Sequence, residues 1–324
     1  MRVLVTGGAG YIGSHAAKAL AKAGHEPLVL DNLSAGHRWA VKWGRLLEWD
    51  LADTEQLPQF LEKEGVGAVL HFAASLLVGE SVQSPRKYYW NNVVNTLHML
   101  DSMLEAGVKK IVFSSSAAVY GNPRQVPIPE DHTKEPVNPY GETKLAMERA
   151  LQWYGHAYGM QWVALRYFNA AGADPEGELG EAHDPEAHII PLTLKAALGE
   201  RTHVDIYGTD YSTPDGSAIR DYIHVTDLAD AHVRALGYLS EGGESRAFNL
   251  GTGDGYSVRE VIDMAGRIVS RPVPFRETPR RPGDPPVLVA DASHAGKALG
   301  WKPERSDLET ILQDAWNWHS SRRK

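Results

Sequence analysis

A glycine-rich turn near residue 1 constrains the fold more than any other feature of the chain. The apolar run Met1–Thr6 leads directly into the sequence GGAGYIG, which contains Gly7, Gly10 and Gly13. Glycine permits a tight turn between a strand and a helix, and the first turn of that helix directs free N–H groups at a pyrophosphate. In this context the triplet predicts a dinucleotide-binding unit and not merely a tight turn.

An acidic residue after the second apolar run indicates which dinucleotide binds. Asp31 follows directly after Pro27–Leu30, and a carboxylate at this position can accept hydrogen bonds from both ribose hydroxyls of an adenosine. A 2′-phosphate would be repelled there, so the sequence favours NAD over NADP, and we interpret Arg38 as a surface residue. By the same topology, Asp50 and Leu51 are expected near the adenine.

The first half of the chain alternates apolar runs with segments of helical periodicity. This alternation predicts an α/β fold with a doubly wound, Rossmann-like parallel sheet. Shorter segments rich in Pro and Gly follow, which are typical of loops that shape a pocket, so we predict an NAD-binding domain at residues 1–172, to which residues 220–255 partly return, and a smaller α/β domain at residues 173–324. The predicted strands are Met1–Thr6, Pro27–Leu30, Ala68–Phe72, Lys110–Ser114 and Trp162–Phe168, and the predicted helices are Ile12–Ala23, Thr54–Lys63, Pro85–Ala106 and Pro139–Tyr158.

Composition excludes several classes of function. The 33 Lys and Arg residues against 41 Asp and Glu give a net charge of −8, which argues against a broad surface for nucleic acid or an anionic membrane. The chain has no cysteine, so disulfides, thiolate metal sites and cysteine nucleophiles are excluded. No signal peptide and no apolar window of about 18 residues is visible, and a cytoplasmic protein is expected.

The segment Ala173–His188 is rich in acidic residues and has no Lys or Arg. Because its acids share no metal-ligand spacing, we interpret it as a solvated loop and expect no metal site. The acidic residues are Asp174, Glu176, Glu178, Glu181, Asp184 and Glu186.

A tyrosine and a lysine four residues apart are the candidate acid–base pair. Asn138 and Pro139 are a helix N-cap and a favoured first helical residue, so Tyr140 and Lys144 should project from one helix face, one turn apart. An ammonium near a phenol favours the phenolate, and we expect it to lower the pKa of Tyr140 from about 10 toward neutrality. Tyr and Lys also meet at this spacing by accident, so the pair needs support from the rest of the site.

That support comes from three serines at the end of a predicted strand. Ligands of open α/β sheets bind at the carboxyl ends of the strands, so Ser114, Ser115 and Ser116 should face the same crevice as the cofactor. A serine there can bind a substrate hydroxyl beside the tyrosine. From the pattern alone, we interpret Ser114 and Ser115 as cap or turn residues.

Together these motifs resemble the extended, nucleotide-sugar branch of the short-chain dehydrogenase/reductase superfamily, and most closely the UDP-glucose 4-epimerase family. The resemblance extends from residue 1 to the tryptophan-rich C-terminus. Its segments are Val3–His15, Val78–Gln83, Phe113–Gly121, Pro139–Lys144, Leu165–Ala170, Arg220–Asp230 and Phe248–Gly253.

The resemblance implies a reaction and three catalytic residues, Tyr140, Lys144 and Ser116. Tyr140, as the phenolate, would take the proton from the sugar 4-hydroxyl of UDP-galactose or UDP-glucose while bound NAD takes hydride from C4. The resulting 4-keto sugar would rotate in the pocket and receive hydride on its other face. Because no net oxidation occurs, NAD would be a resident cofactor.

The resemblance also implies that the smaller domain, residues 173–324, binds the nucleotide sugar, and it implies two sets of binding residues. The cofactor set is Gly7, Gly10, Tyr11, Ile12, Gly13, Asp31, Asn32, Asp50, Leu51, Phe72, Ala73, Ala74, Asn91, Ser114, Tyr140, Lys144, Tyr167 and Phe168. The substrate set is Ser116, Tyr140, Asn169, His188, Tyr207, Arg220, Arg281, Asp284 and Leu288, with the two arginines on the diphosphate, Tyr207 beside the uracil and Asp284 near the ribose.

Several positions depart from the family pattern. Leu76 stands where many members have a lysine near the cofactor, and Ala118 stands where a threonine is common. Leu288 is intermediate between the tyrosine of glucose-restricted members and the small residue of members that accept N-acetylated sugars. His15 and His224 are interpreted as structural.

Other functions stay open at this point. A 4,6-dehydratase is disfavoured because its Asp–Glu pair is replaced by Ala117 and Ala118. A UDP-N-acetylhexosamine or UDP-glucuronate 4-epimerase and a non-catalytic NAD-binding module remain alternatives. The resemblance further implies a homodimer formed through Asn92–Ala106 and Gly141–Tyr158.

Overall fold

The computed structural model describes residues 1–281 and 283–322, and within them fourteen strands. Most are short, as expected of an α/β protein whose sheet lies between layers of helices. The strands are β1 (Arg2–Thr6), β2 (Glu26–Leu30), β3 (Arg45–Leu47), β4 (Val66–His71), β5 (Lys110–Ser116), β6 (Gln161–Tyr167), β7 (Asn169–Ala171), β8 (Val204–Tyr207), β9 (Ile219–Arg220), β10 (Tyr222–His224), β11 (Arg246–Leu250), β12 (Tyr256–Ser257), β13 (Phe275–Thr278) and β14 (Val287–Leu288).

The helices alternate with the strands of the first half and then cluster in the second. A π-helical segment, Tyr89–Val94, joins two of them into one long rod, and short 3₁₀ turns occur at Arg38–Ala40 and Ala117–Tyr120. The α-helices are α1 (Tyr11–Lys22), α2 (Leu57–Glu64), α3 (Val78–Gln83), α4 (Pro85–Tyr88), α5 (Asn95–Glu105), α6 (Pro139–Tyr158), α7 (Ile189–Leu198), α8 (Val225–Ser240), α9 (Val258–Ile268), α10 (Ser293–Leu299) and α11 (Leu308–Ser321).

The central sheet has seven parallel strands in the order β11-β6-β5-β4-β1-β2-β3. Successive residues of β1 serve opposite faces: Val3 and Val5 pack beneath α1 and α8, whereas Leu4 packs beneath α2 and α5. Because both faces are covered by helices, the middle of most strands is a continuous apolar run and does not alternate with polar residues. The predicted doubly wound α/β fold is confirmed.

A second apolar core lies outside the central sheet. It is built from α7, α9 and α11, with Leu194, Ile262 and Ile311 among its fully buried members. Strand β11 and helix α8 instead belong to the core on one face of the central sheet, because β11 pairs with β6 and α8 packs on α1. The domain boundary between residues 172 and 173 stays a prediction.

The predicted elements occur with boundaries shifted by a few residues. The helix predicted at Thr54–Lys63 begins only at Leu57, and the helix predicted at Pro85–Ala106 contains the π-helical segment. The strand predicted to end at Ser114 continues to Ser116, so Ser114 and Ser115 are strand residues, and their interpretation as cap or turn residues is wrong. No helix of the described residues has both the length and the apolarity to cross a bilayer.

The acidic segment is only partly a solvated loop, which corrects the sequence-based interpretation. Lys18, buried on α1, donates to the carboxylates of Asp174 at 2.8 Å, Glu176 at 2.7 Å and Glu178 at 2.7 Å. The Lys18 ammonium also lies over the ring of Trp43. A buried ammonium requires compensating charge, and these acids supply it from a segment about 156 residues away.

Candidate functional site

The glycine turn between β1 and α1 is closed too tightly for side chains. Gly7 has a φ of +70°, and a Cβ there would stand 2.6 Å from the backbone nitrogen of Ala73; a Cβ on Gly13 would stand 2.3 Å from the carbonyl oxygen of Gly7. Helix α1 follows Gly10, which has no side chain to cap its first turn. The first N–H groups of the helix are thus available to an anionic ligand.

The carboxylate of Asp31 lies beside this turn. It is buried and accepts hydrogen bonds from the backbone nitrogens of Ala9 at 3.0 Å and Leu33 at 2.8 Å. Burial raises its pKa, and these two hydrogen bonds oppose the rise. At the adjoining strand end, the side-chain amide of Asn32 donates to Asp50 at 2.8 Å, so the predicted adenosine residues do lie together.

Leu51 and Arg38, two other residues considered for this region, have different environments. Leu51 is buried in the core beneath α2. Arg38 is an exposed residue that pairs with Glu48, as the surface interpretation expected.

The loop after β4 is fixed by the π-helical segment. Asn92 accepts a hydrogen bond from the backbone nitrogen of Ser75 at 2.7 Å and donates to the hydroxyl of Thr143 on α6 at 3.1 Å, and Asn91 donates to the Ser75 hydroxyl. Asn92 therefore links the loop that begins at Phe72 to the helix that carries the candidate base. Sequence reasoning missed Asn92; two adjacent asparagines in a helical pattern were the available signal.

Helix α6 begins where the sequence predicts and touches the turn that follows β5. Asn138 accepts a hydrogen bond from the backbone nitrogen of Gly141 at 2.9 Å, which caps the helix, and Pro139 is its first residue. A Cβ on Gly141 would stand 2.5 Å from the carbonyl oxygen of Ala118. Glycine at this position lets the start of α6 approach the end of β5.

This approach brings the candidate acid–base pair to the strand end. The Tyr140 hydroxyl faces the Ser116 side chain, which favours the phenolate, and the Lys144 ammonium donates to the Ser114 carbonyl oxygen at 2.7 Å. The ammonium lies 5.8 Å from the centroid of the Tyr140 ring. The hydroxyl of Ser114 forms a short hydrogen bond with that of Tyr167. The strand end thus holds a phenol, an ammonium and hydroxyls in one place.

The charge states of this pair differ from the sequence-based expectation. Burial raises the pKa of Tyr140, and the Ser116 side chain only partly offsets the rise. Burial lowers the pKa of Lys144 to about 7, opposed by the charge of Glu148. In the protein alone, desolvation outweighs the attraction between ammonium and phenolate, so the expected lowering of the Tyr140 pKa is wrong.

Two residues of the second predicted group, Arg281 and Asp284, line a cleft of about 660 Å³, and Arg220 and Tyr207 contact these two residues. Arg220 donates to the Asp284 carboxylate at 2.6 Å, and the Arg281 guanidinium lies 3.7 Å from the centroid of the Tyr207 ring. Two guanidiniums and an aromatic ring at one cleft suit a nucleoside diphosphate.

Tyr222 completes this end of the site and was missed by sequence reasoning. Its hydroxyl is buried without a hydrogen-bond partner among the described residues, and the charges of Arg220 and Asp284 reach it. A buried hydroxyl of this kind usually has a partner, and the Tyr222 ring packs in the apolar core that includes Leu194 and Ile262. The signal in the sequence was its position two residues after Arg220.

Asn169 and Leu288 lie between the cleft and the carboxyl end of β5. The backbone nitrogen of Asn169 donates to the carbonyl oxygen of Asp221. Leu288 stands opposite Arg220 in the pairing of β14 with β9 and packs, with Phe168, on the apolar cluster that includes Val119. Leu288 is therefore close both to the cleft and to the turn that follows Ser116.

His188 lies in a cluster of two histidines and two carboxylates. Its Nδ1 is 2.6 Å from Glu181 and 3.1 Å from Glu186, and the Nδ1 of His183 is 2.9 Å from Glu181. These are hydrogen-bond separations, whereas a tetrahedral ion with ligands at about 2.0–2.1 Å would hold the ligand atoms about 3.3 Å apart. The cluster is therefore an ion-pair network in this structure.

The same carboxylates set the charge of His188. Burial opposes the imidazolium, but Glu181 and Glu186 outweigh it and raise the pKa of His188 to about 10. His188 also precedes the first turn of α7. A cation at the N-terminal end of a helix favours an anionic ligand.

His15 and His224 have structural contacts. The buried His15 ring bonds the carbonyl oxygen of Tyr11, and burial lowers its pKa to about 4. The buried His224 ring accepts a hydrogen bond from the backbone nitrogen of Thr226 and caps α8. Their interpretation as structural residues agrees with these contacts.

Comparison with known proteins gives consistent matches. A model of the NAD dependent epimerase/dehydratase family matches residues 3–251. The chain is 52% identical to the UDP-glucose 4-epimerase of Halalkalibacterium halodurans over 319 residues, 98% of this chain and 96% of that protein. A crystal structure of UDP-glucose 4-epimerase from Brucella ovis with NAD is 53% identical, with a TM-score of 0.95 over 97% of each chain. The Bifidobacterium longum enzyme in complex with NAD+ and UDP is 40% identical, with a TM-score of 0.94 over 99% of each chain.

Proposed function

The chain belongs to the NAD dependent epimerase/dehydratase family, and we propose that it interconverts UDP-galactose and UDP-glucose by reversible hydride transfer at C4 of the sugar. One structural observation supports this activity in addition to the family membership. Tyr140 and Lys144 meet Ser116 and Ser114 at the carboxyl end of β5. A phenol, an ammonium and a hydroxyl placed together can bind a sugar hydroxyl and move its proton.

NAD is the cofactor, and the residues of the first strand ends fit it. Gly7 and Gly13 let this turn close tightly, and the uncapped first turn of α1 offers its N–H groups to a pyrophosphate. Asp31 and Asp50 offer carboxylate oxygens for the adenosine, and Lys144 is placed to bind the nicotinamide ribose. When bound, NAD supplies the acceptor and donor of hydride.

The catalytic residues handle the proton of the sugar 4-hydroxyl. Tyr140 takes this proton when the 4-keto sugar forms and returns it when the ketone is reduced. Ser116 binds the same hydroxyl and already faces Tyr140. Burial disfavours the Tyr140 phenolate, so this anion depends on positive charge that includes the protonated Lys144.

The nucleotide is held at the opposite end. Arg220 and Arg281 pair with the diphosphate, Asp284 accepts from the ribose and Tyr207 flanks the uracil. The structure supports these roles because Asp284 already pairs with Arg220 and Tyr207 already stacks with Arg281. His188, held as a cation by Glu181, adds charge for the same anion.

The alternatives require groups that are absent from the described strand end. Elimination of water by a dehydratase needs an acid–base pair where Ala117 and Ala118 stand. A non-catalytic module has no use for the contacts of Tyr140 and Lys144 with the serines of β5. Acceptance of N-acetylated sugars depends on the space beside Leu288, and a UDP-glucuronate substrate stays open.

A homodimer through α5 and α6 is part of this proposal. Large apolar side chains stay exposed on and near these helices, with Trp153 70% exposed, Trp90 55% and Tyr158 54%. Contiguous exposed apolar patches mark interaction surfaces, and these side chains would be covered in such a dimer. Trp153→Glu should convert the dimer to a monomer in sedimentation equilibrium, and a monomeric wild-type protein would contradict the proposal.

Incubation of the purified protein with UDP-galactose, without added NAD, tests the function. UDP-glucose as the product supports the proposal, because resident NAD suffices for a reaction without net oxidation. A 4-keto-6-deoxy sugar would indicate a dehydratase. No product, from protein that still contains NAD, would indicate the non-catalytic module.

A further inference from the structure

Helix α6 presents a third polar residue on the face that carries Tyr140 and Lys144. Glu148 lies one further turn along, so the three side chains share one side of the helix. The Glu148 side chain is 7% exposed and accepts hydrogen bonds from the Ser115 hydroxyl at 2.5 Å and from Arg166 Nε and Nη2 at 2.8 and 2.5 Å. A carboxylate is thus buried behind the catalytic pair.

Three consecutive serines of β5 contact these three residues of α6. Ser116 faces Tyr140, the Ser114 carbonyl oxygen accepts from Lys144, and the Ser115 hydroxyl donates to Glu148. If α6 rotated or slid relative to β5, all three contacts would change together. Glu148 lies two turns along α6 from Tyr140, the furthest of the three residues, so its contact can fix the other two without touching a ligand.

Arg166 extends the network to the turn that follows Ser116. Arg166 lies beside Ser115 in the pairing of β5 with β6, and it is 3% exposed. Its Nη1 donates to the Tyr120 hydroxyl at 2.8 Å and to the Glu130 carbonyl oxygen at 3.0 Å. Tyr120 belongs to the 3₁₀ turn that starts directly after Ser116. The pair of Glu148 and Arg166 therefore contacts both elements that carry the catalytic groups.

We propose that Glu148 and Arg166 are a positioning pair, which sets α6 against the end of β5 and places a negative charge one turn from the Lys144 ammonium. The proposal rests on the function proposed above. A buried ion pair is a weak source of stability, because an apolar pair of similar volume stabilises a core as well or better. A gain in stability alone therefore does not explain a buried ion pair at this location.

Several charged or titratable groups face Lys144, and a test must separate the effect of Glu148 from theirs. Tyr140 and Glu148 face it from α6, and His71 of β4 and Arg166 of β6 lie on the neighbouring strands. The ammonium also lies 5.0 Å from the centroid of the Phe113 ring. Among these groups, Glu148 is the carboxylate, so its neutralisation removes the negative charge that favours the protonated lysine.

Glu148→Gln is the direct test, because the amide keeps the size of the side chain and loses the charge. We expect kcat for UDP-galactose to fall at least tenfold with KM changed less than threefold and NAD retained. The alkaline limb of the kcat profile should move to lower pH, since Lys144 loses its proton more readily. The matched control on the same helix, Glu142→Gln, should leave kcat within twofold of wild type.

A double variant keeps the proposal falsifiable if Glu148→Gln does not fold. Glu148→Met with Arg166→Met replaces the ion pair by apolar side chains, and we expect a folded, NAD-containing protein with kcat reduced at least tenfold. Wild-type kcat and an unshifted pH profile in either folded variant would overturn the positioning role. Inactive wild-type protein in the same assay would instead contradict the proposed function.

Discussion

The two ends of the site are built differently. At the reactive end, Lys144 is buried, and its contacts come from the backbone and side chains of a central strand and its neighbouring helix. At the nucleotide end, Arg220 lies on the two-residue strand β9 and its partner Asp284 lies in a loop. The Asp284 side chain is 32% exposed. The first set is held by the core of the sheet, and the second by segments at its margin.

This difference indicates a division of labour. Groups held by the core cannot adjust to a ligand, which suits proton transfer, where small displacements are costly. Groups on loops and short strands can close on a flexible diphosphate. Substitutions at the reactive end should therefore lower kcat, and substitutions at the nucleotide end should raise KM.

The largest effect is expected for Tyr140→Phe. Removal of the phenolic hydroxyl deletes the proton acceptor and should reduce kcat by about 10²–10⁴-fold while NAD and UDP-sugar still bind. Steady-state kinetics and the absorbance of bound cofactor check this. Full activity in the variant would remove Tyr140 from the mechanism and with it the contrast between the two ends.

Arg220→Met tests the nucleotide end. Loss of a charge-assisted contact with the diphosphate, and of the partner of Asp284, should raise KM about 10–100-fold, a cost of about 1.4–2.8 kcal/mol, with kcat changed much less. Arg276→Met, at an exposed arginine paired with Asp205, is the matched control and should leave KM unchanged. A fall in kcat without a change in KM would contradict the division of labour.

His188→Asn should have a smaller effect, because one cation among several is lost. We expect KM to rise about three- to tenfold. The raised pKa of His188 also stabilises the fold fully below about pH 6.5, the unfolded value, and this contribution is lost as the pH rises through about 10. The difference in Tm between wild type and variant should shrink from pH 7 to pH 10. A constant difference would show that His188 is not held protonated in the folded protein.

The smallest effect is expected at Leu288, which lies between the two ends. Leu288→Tyr should lower kcat/KM for a UDP-N-acetylhexosamine relative to UDP-glucose by about two- to threefold, because the larger ring fills space beside the sugar. Competition assays with both substrates measure this ratio. No detectable turnover of the N-acetyl sugars by the wild-type chain would exclude the broader specificity.

The sequence predicted the reactive end better than the nucleotide end. The glycine turn, Asp31 and the Tyr140–Lys144 spacing follow from local geometry, so their positions in the fold could be predicted. The contacts of Arg220 and Tyr207 join segments far apart in sequence, and only the family resemblance placed them. Long-range pairing leaves no periodic signal in one sequence.

The errors have physical causes as well. The pKa of Tyr140 depends on burial, which spacing does not reveal, and its direction was therefore wrong. The acidic segment was interpreted as solvated because its partners, Lys18 on α1 and the neighbouring histidines, are not visible as a pattern. Glu148 was overlooked because a glutamate on a helix is usually exposed, and only the structure shows Arg166 beside it.

The most direct test of the central claim follows the hydrogen atom at C4. UDP-galactose carrying deuterium at C4 is incubated with the protein in ordinary water without added NAD, and the UDP-glucose formed is analysed by mass spectrometry and NMR. If hydride leaves C4 and returns to it from the resident cofactor, the product keeps the deuterium at C4. Loss of the deuterium to solvent, or its movement to another carbon, would contradict hydride transfer at C4.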